Sequence, residues 1–260
     1  KRTPLTIAVS GDEGKTWKEI FHRREDASVR DFIIPEVYND RMYLATLQGI
    51  YTSGNHGVAW DFIEESNQFT NGVKTLWVSP IDPERILVGT RRLIYRTENR
   101  GKKWELYSKN IPEDSDIFRI LSLDREGRRL LASACSGIYR STDGGQTWSK
   151  TILNSTGKQM DKRVLCLAAD KETETVYAGT STGLYRSTDS GNTWDFRYGD
   201  KLIVHEIVVD TEKKDVLYLA AEDEGILKSV NGGYSFTSQN KGLIHRGISA
   251  ISVDPENYKN

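Results

Sequence analysis

Apolar residues along this chain come in short runs of four or five, and the runs recur in fours. In the clearest stretch they are Val164-Leu165-Cys166-Leu167, Thr175-Val176-Tyr177-Ala178-Gly179, Leu184-Tyr185-Arg186-Ser187 and Thr193-Trp194-Asp195-Phe196. The runs are rich in β-branched and aromatic residues, and Gly, Asp and Asn punctuate the gaps. That pattern predicts four β-strands joined by tight turns. No stretch keeps apolar residues three and four apart over three turns, so helices are expected to be nearly absent.

The group of four itself repeats. Ser10-Gly11-Asp12-Glu13-Gly14-Lys15-Thr16-Trp17 returns as Ser141-Thr142-Asp143-Gly144-Gly145-Gln146-Thr147-Trp148 and as Ser187-Thr188-Asp189-Ser190-Gly191-Asn192-Thr193-Trp194. Weaker copies end at Trp60, Trp104 and Phe236, with Asn55, Asn99 and Asn231 in place of the aspartate. The closing aromatics at 17, 60, 104, 148, 194 and 236 are 43, 44, 44, 46 and 42 residues apart. Four strands in each period of that length predict an all-β chain built from propeller blades.

The eight-residue motif resembles the Asp-box, the bacterial neuraminidase repeat, and the resemblance covers nearly the whole chain. Three copies match Ser-x-Asp-x-Gly-x-Thr-Trp in full and three depart from it. The family takes in sialidases, xyloglucanase-type glycoside hydrolases, sortilin-like receptors and photosystem assembly factors. The resemblance therefore implies a fold and leaves the function open.

The box needs no activity to explain its spacing. It is expected in the hairpin between the third and fourth strands, where the carboxylate accepts hydrogen bonds from the turn's own N–H groups. Glycine supplies a conformation that a Cβ resists. The aromatic ring is expected to be buried against the neighbouring sheet. Asn55, Asn99 and Asn231 keep an acceptor oxygen and lose the charge, which fits a structural part and not a catalytic acid or a metal ligand.

Aligned on this period, the blades fall near 30–64, 73–107, 117–152, 163–198 and 203–238. The tail 247–260 matches an innermost strand and its exit turn, and the head 1–20 matches a third and a fourth strand. Joined, they make a sixth blade, and closing the ring with both termini would remove exposed sheet edges. The expectation is one six-bladed propeller domain over 1–260; an excerpt of a larger ring is the alternative.

Composition narrows the function classes. The 260 residues hold 36 Lys+Arg against 37 Asp+Glu, a net charge of −1. A dedicated nucleic-acid surface would normally carry a basic excess. No apolar run approaches the ~18 residues of a membrane helix. The first residue is Lys1 and not Met, which suggests a processed or excised piece, and an exported protein is expected. Cys135 and Cys166 read as buried thiols, with a bridge between them left open. His22, His56, His205 and His245 lie far apart without metal spacing, so neither metal nor cofactor is expected.

Glycan cleavage is the sharpest enzymatic hypothesis. The resemblance implies a Phe/Tyr-Arg-Ile-Pro strand in sialidase-like members, but Phe32-Ile33-Ile34-Pro35 places Ile33 where the carboxylate-binding arginine belongs. Phe118-Arg119-Ile120-Leu121 keeps the arginine two blades later and loses the proline. Hydrolysis by another route needs two carboxylates across one cleft. The candidates are Glu64-Glu65, Asp114, Asp116, Asp200 and Glu222-Asp223-Glu224, none with a distinguishing partner in sequence. No Gly-x-Ser-x-Gly elbow occurs. Asn154-Ser155-Thr156 is a glycosylation sequon.

What remains is the mouth formed where chains lead into the innermost strands. Arg30, Lys74, Arg119, Arg163, His205 and Arg246 fall there, within a residue or two, and suggest an anion-receptive site. The sequence thus points to a monomeric, non-catalytic propeller that binds or scaffolds a protein or glycan partner. A glycan-active enzyme is the alternative.

Overall fold

The computed structural model describes all residues except 1–4, 11–14, 24–27, 36–37, 39, 70–71, 113–114, 171–172, 211 and 253–260. The chain divides into two compact units, Lys1–Ile120 with Arg125–Gly127, and Leu121–Asp124 with Arg128–Asn260.

The first unit opens with a hairpin of β1 (Leu5–Val9) and β2 (Lys18–Arg23). A four-stranded antiparallel sheet follows: β3 (Val29–Ile33), β4 (Met42–Thr46), β5 (Ile50–Ser53) and β6 (Asp61–Ile63). After a 3-10 turn at Glu64–Gln68 comes a second sheet, β7 (Val73–Val78), β8 (Ile86–Thr90), β9 (Ile94–Thr97) and β10 (Glu105–Leu106). That turn is the only helical segment among the described residues, in keeping with the absence of helical spacing in the sequence.

The chain passes from the first unit to the second within the next sheet, β11 (Ile117–Ser122), β12 (Leu130–Ala134), β13 (Gly137–Ser141) and β14 (Ser149–Lys150). In the second unit, β15 (Ile152–Leu153) lies parallel to the outer strand of a further sheet, formed by β16 (Val164–Ala169), β17 (Val176–Thr180), β18 (Gly183–Ser187) and β19 (Thr193–Tyr198). The last sheet is β20 (Val204–Val209), β21 (Leu217–Ala221), β22 (Gly225–Ser229) and β23 (Thr237–Ser238).

Each four-stranded sheet is a simple up-and-down meander, and in four of the five the second strand is fully enclosed. MYLAT, ILVGT, LLASA and VYAGT are buried at all five positions. Such strands lose the usual in–out alternation because both faces meet another sheet. In the first unit Tyr43, Ala45 and Ile50 pack against Val73, Leu76, Ile86 and Val88 of the next sheet. In the second, Leu131 and Ile138 meet Val164, Leu167 and Val176, while Tyr177 and Leu184 meet Val204, Ile207 and Leu217. Burying this apolar surface is the main stabilising term.

Near the inner edge the sheets crowd, and the fourth residue of the second strand is small: Ala45, Gly89, Ser133, Gly179 and Ala220. A Cβ added at Gly89 would stand 2.6 Å from Thr75 Cγ2 and 2.7 Å from Ile117 Cγ2. At Gly179 it would meet Cys166 Sγ at 2.4 Å and Val204 Cγ1 at 2.7 Å.

The structure bears on three expectations. Among the described residues the head remains a two-stranded sheet, and Ile248–Ser252 of the tail carries no strand. The second strand that would join them falls on residues 253–260 and the first residues of the head, which lie outside the described set. Trp17 is 66% exposed, unlike Trp148 at 2% and Trp194 at 0%, so its ring is not the buried anchor that the box spacing predicts. Cys135 and Cys166 are not joined in a disulfide.

Candidate binding face

The box hairpins come first, because their side chains are fully committed. In the box at 141–148, Ser141 Oγ donates to Asp143 Oδ1 at 2.8 Å and accepts from the Gly145 N–H at 2.9 Å. Asp143 accepts from the N–H and the hydroxyl of Thr147. The Trp148 indole donates to the Gly145 carbonyl at 2.9 Å. The same wiring recurs at Ser187, Asp189, Thr193 and Trp194. Asn55, Asn99 and Asn231 accept from the N–H groups of Ala59, Lys103 and Ser235 in the same way. Phe236 and Trp104 are partly buried in neighbouring clusters. Asp12 lies outside the described residues.

Burial alone pushes the Asp143 carboxyl up, but the hydrogen bonds from Thr147 and Ser141 outweigh it and hold the group below the ordinary aspartate range. Asp189 behaves alike: burial raises it, and Thr193, Ser187 and Asn192 bring it down. These are carboxylates spent on their own turns.

The opposite resource is a one-residue bulge in the innermost strands. The register slips between Val29 and Asp31, Val73 and Thr75, Val164 and Cys166, and Val204 and Glu206. The extra residue leaves the ladder, which is how bulges re-aim side chains. The bulged residues are Arg30 and Lys74 in the first unit, and Leu165 and His205 in the second. Arg30 is exposed, while Lys74 and His205 are half-buried. His205 Nε2 lies 3.5 Å from Glu222 Oε2.

The other predicted mouth residues stand elsewhere in the register. Arg119 is the third residue of β11, and Arg163 precedes β16 by one residue. Arg246 lies outside any strand. Of the six, the bulge brings Arg30, Lys74 and His205 to one equivalent position.

Glu64, Glu65, Asp200 and Glu222-Asp223-Glu224 are exposed, and Asp116 approaches Arg91 at 4.0 Å. Asp114 lies outside the described residues. Among the described residues no cluster of three His, Cys, Asp or Glu could hold a metal ion.

Sequence reasoning missed the arginines one position before three of the boxes, Arg96, Arg140 and Arg186. Arg140 Nε donates to the Ser190 carbonyl in the next box at 3.2 Å, and Arg186 Nη2 lies 3.5 Å from Asp215 of the following sheet. The recurrent Tyr-Arg-Thr/Ser at 95–97, 139–141 and 185–187 is the signal that could have found them. Arg140 and Arg186 clamp sheet to sheet.

Two family models match parts of the chain. Residues 5–115 match the one described as Sortilin, neurotensin receptor 3, and residues 79–201 match Photosynthesis system II assembly factor YCF48. No curated protein matches. Among solved structures, the extracellular domain of a hybrid two component system from B. thetaiotaomicron is similar with a TM-score of 0.73 and 15% identity, over 94% of this chain and 33% of that one. YCF48 bound to D1 peptide gives 0.69 and 12%, over 93% and 80%. The GH74 xyloglucanase from Xanthomonas campestris gives 0.68 and 16%, over 88% and 42%. The chain spans 32% and 42% of the two GH74 structures it matches. At these identities the likeness establishes the fold. No helix among the described residues is long and apolar enough to cross a membrane.

Proposed function

Because the chain belongs to the BNR-type, Asp-box β-propellers, we propose that it is a non-catalytic binding or scaffolding module for a protein or glycan partner. The bulge carries this reading. It lifts Arg30 and Lys74, on adjacent inner strands of the first unit, out of the hydrogen-bond ladder. Two cations so placed suit an anionic group, and Arg30 can grip a carboxylate or sulfate with two parallel bonds. The box carboxylates are occupied in their own hairpins and offer nothing to a substrate.

The proposal extends to place and assembly. An extracytoplasmic protein fits the neighbours drawn from extracellular domains, and the protein is proposed to act as a monomer. Six blades closed by both termini is the architecture that would complete the head hairpin, given a second strand beside β1. YCF48, whose structure holds a D1 peptide, is a precedent for a protein partner on this fold; the GH74 fold is the precedent for glycan chemistry.

The test is an array of sialosides, β-glucans and acidic peptides, read for both binding and hydrolysis. Binding that weakens at least tenfold in Arg30→Ala with Lys74→Ala, and that falls with salt, supports the proposal. Turnover of any array member overturns it in favour of the glycan-active alternative. Binding indifferent to both substitutions moves the site away from the bulges.

A further inference from the structure

The turn that ends β15 carries the one tripeptide of this chain that an N-glycosylating transferase reads. Asn154-Ser155-Thr156 follows Leu153 directly, with Gly157 after it and no proline within. No other asparagine stands two places before a serine or threonine.

The fold presents this tripeptide to solvent. Asn154 to Gln159 are exposed at all six positions, and every residue between β14 and β16 is among those described. A Cβ added at Gly157 would meet nothing within 4 Å. The backbone beneath is anchored: the Asn154 N–H donates to the Trp194 carbonyl at 2.9 Å, and the Leu153 N–H to the Lys158 carbonyl at 2.8 Å. The side chain is held loosely by comparison. Asn154 Nδ2 reaches Asp195 Oδ2 at 3.5 Å, the far limit of a hydrogen bond, where little is lost by moving away. An exposed turn on a fixed base lets a transferase reach the amide, which a packed or strand-paired asparagine would not.

We propose that Asn154, displayed on this turn, accepts an N-linked glycan from a lipid pyrophosphate-linked oligosaccharide. Asn154 Nδ2 attacks the anomeric carbon of the first sugar, a C–N bond forms, and the C–O bond to the pyrophosphate breaks. The lipid pyrophosphate leaves with that electron pair, and one amide proton passes to a base of the transferase. Nδ2 keeps its second hydrogen, so it can still face Asp195. The place suits a bulky, hydrated group. β15 is the outermost strand of its sheet, ordered β15-β19-β18-β17-β16, and the bulge at Leu165 is on β16 at the opposite edge. A glycan at Asn154 shields the outer edge from pairing with other chains and leaves the bulged edge uncovered.

The proposal rests on the proposed extracytoplasmic location, and the experiment supplies the export itself so that the two fail separately. The intact chain is directed through the secretory pathway of a eukaryotic host. The tryptic peptide 151–158 is then analysed by mass spectrometry in both lumenal and secreted material, so that a variant with a folding defect is still read. The expected result is one glycan on that peptide, lost completely in Asn154→Gln and in Thr156→Ala and kept in Thr156→Ser. A bare peptide from the wild-type chain overturns the proposal. A glycan that persists in Asn154→Gln overturns it as well, by placing the acceptor elsewhere.

Discussion

Asp31 accepts a hydrogen bond from the hydroxyl of Thr75, 44 residues away, at 3.0 Å. Its Oδ2 also takes the Leu76 N–H at 2.8 Å, so one carboxylate stitches β3 to β7. The bulges at Arg30 and Lys74 lie beside this stitch. It fixes where the two cations stand.

Asp31→Ala should therefore lower the stability of the chain by about 1–3 kcal/mol, the range for leaving partners of a charged acceptor unmet. Asp31→Asn, which keeps an acceptor oxygen, should recover part of the loss. Denaturant midpoints of the two variants check this. Equal midpoints for wild type and Asp31→Ala would show that the stitch contributes nothing.

The box tryptophans should not be equivalent. Trp148→Ala and Trp194→Ala remove fully buried rings and should each cost about 3–5 kcal/mol. Trp17 is 66% exposed, and Trp17→Ala should cost under about 1 kcal/mol, the scale of surface substitutions. The ordering of three thermal unfolding curves decides the matter. A Trp17 variant as unstable as the other two would mean that its ring is covered in solution.

The contrast marks what the sequence could tell. Strands, box hairpins and the scarcity of helix were legible because they rest on local spacing, which the amino-acid order displays directly. The exposure of Trp17 was not, since it depends on which sheet covers the ring. The bulges at Arg30, Lys74 and His205 were hidden for another reason: one extra residue shifts the register by one place and leaves the apolar pattern intact. Arg163 lies two residues before the bulged Leu165, an offset that an alignment on apolar runs does not resolve. The Asp31–Thr75 bond joins positions that no local pattern links. Ile248–Ser252 has the composition of an inner strand and forms none among the described residues.

Acid should loosen some boxes and spare others. The folded-state pKa values of Asp143 and Asp189 lie below the ordinary aspartate value. Their contribution is fully present above that ordinary value and is lost as pH falls through the lower folded value. Asn55, Asn99 and Asn231 have no proton to take up. Hydrogen exchange of Thr147 and Thr193 amides should accelerate as pH falls below the ordinary aspartate range of about 4, relative to Ala59, Lys103 and Ser235. In Asp143→Asn with Asp189→Asn that difference should vanish. Parallel acceleration in all five boxes would instead point to global unfolding.

Two glycines separate crowding from backbone freedom. Gly89 sits where β8 passes closest to β7 and β11, and a methyl there would press on Thr75 and Ile117 at 2.6 and 2.7 Å. Both neighbours are buried branched side chains with no room to retreat, Thr75 at 1% and Ile117 at 0% exposure. Gly89→Ala should then cost about 1–3 kcal/mol, as overpacking does. Gly54, in the box at 53–60, has nothing within 4 Å of an added Cβ. Its φ lies outside the left-handed range as well, so Gly54→Ala should be neutral or stabilise by up to about 1 kcal/mol by restricting the unfolded chain. Chemical denaturation of the pair supplies the check. Since the small fourth residue recurs in every second strand, a tolerated Gly89→Ala would show that the inner edges are not close-packed, and with them the frame that holds the bulged cations.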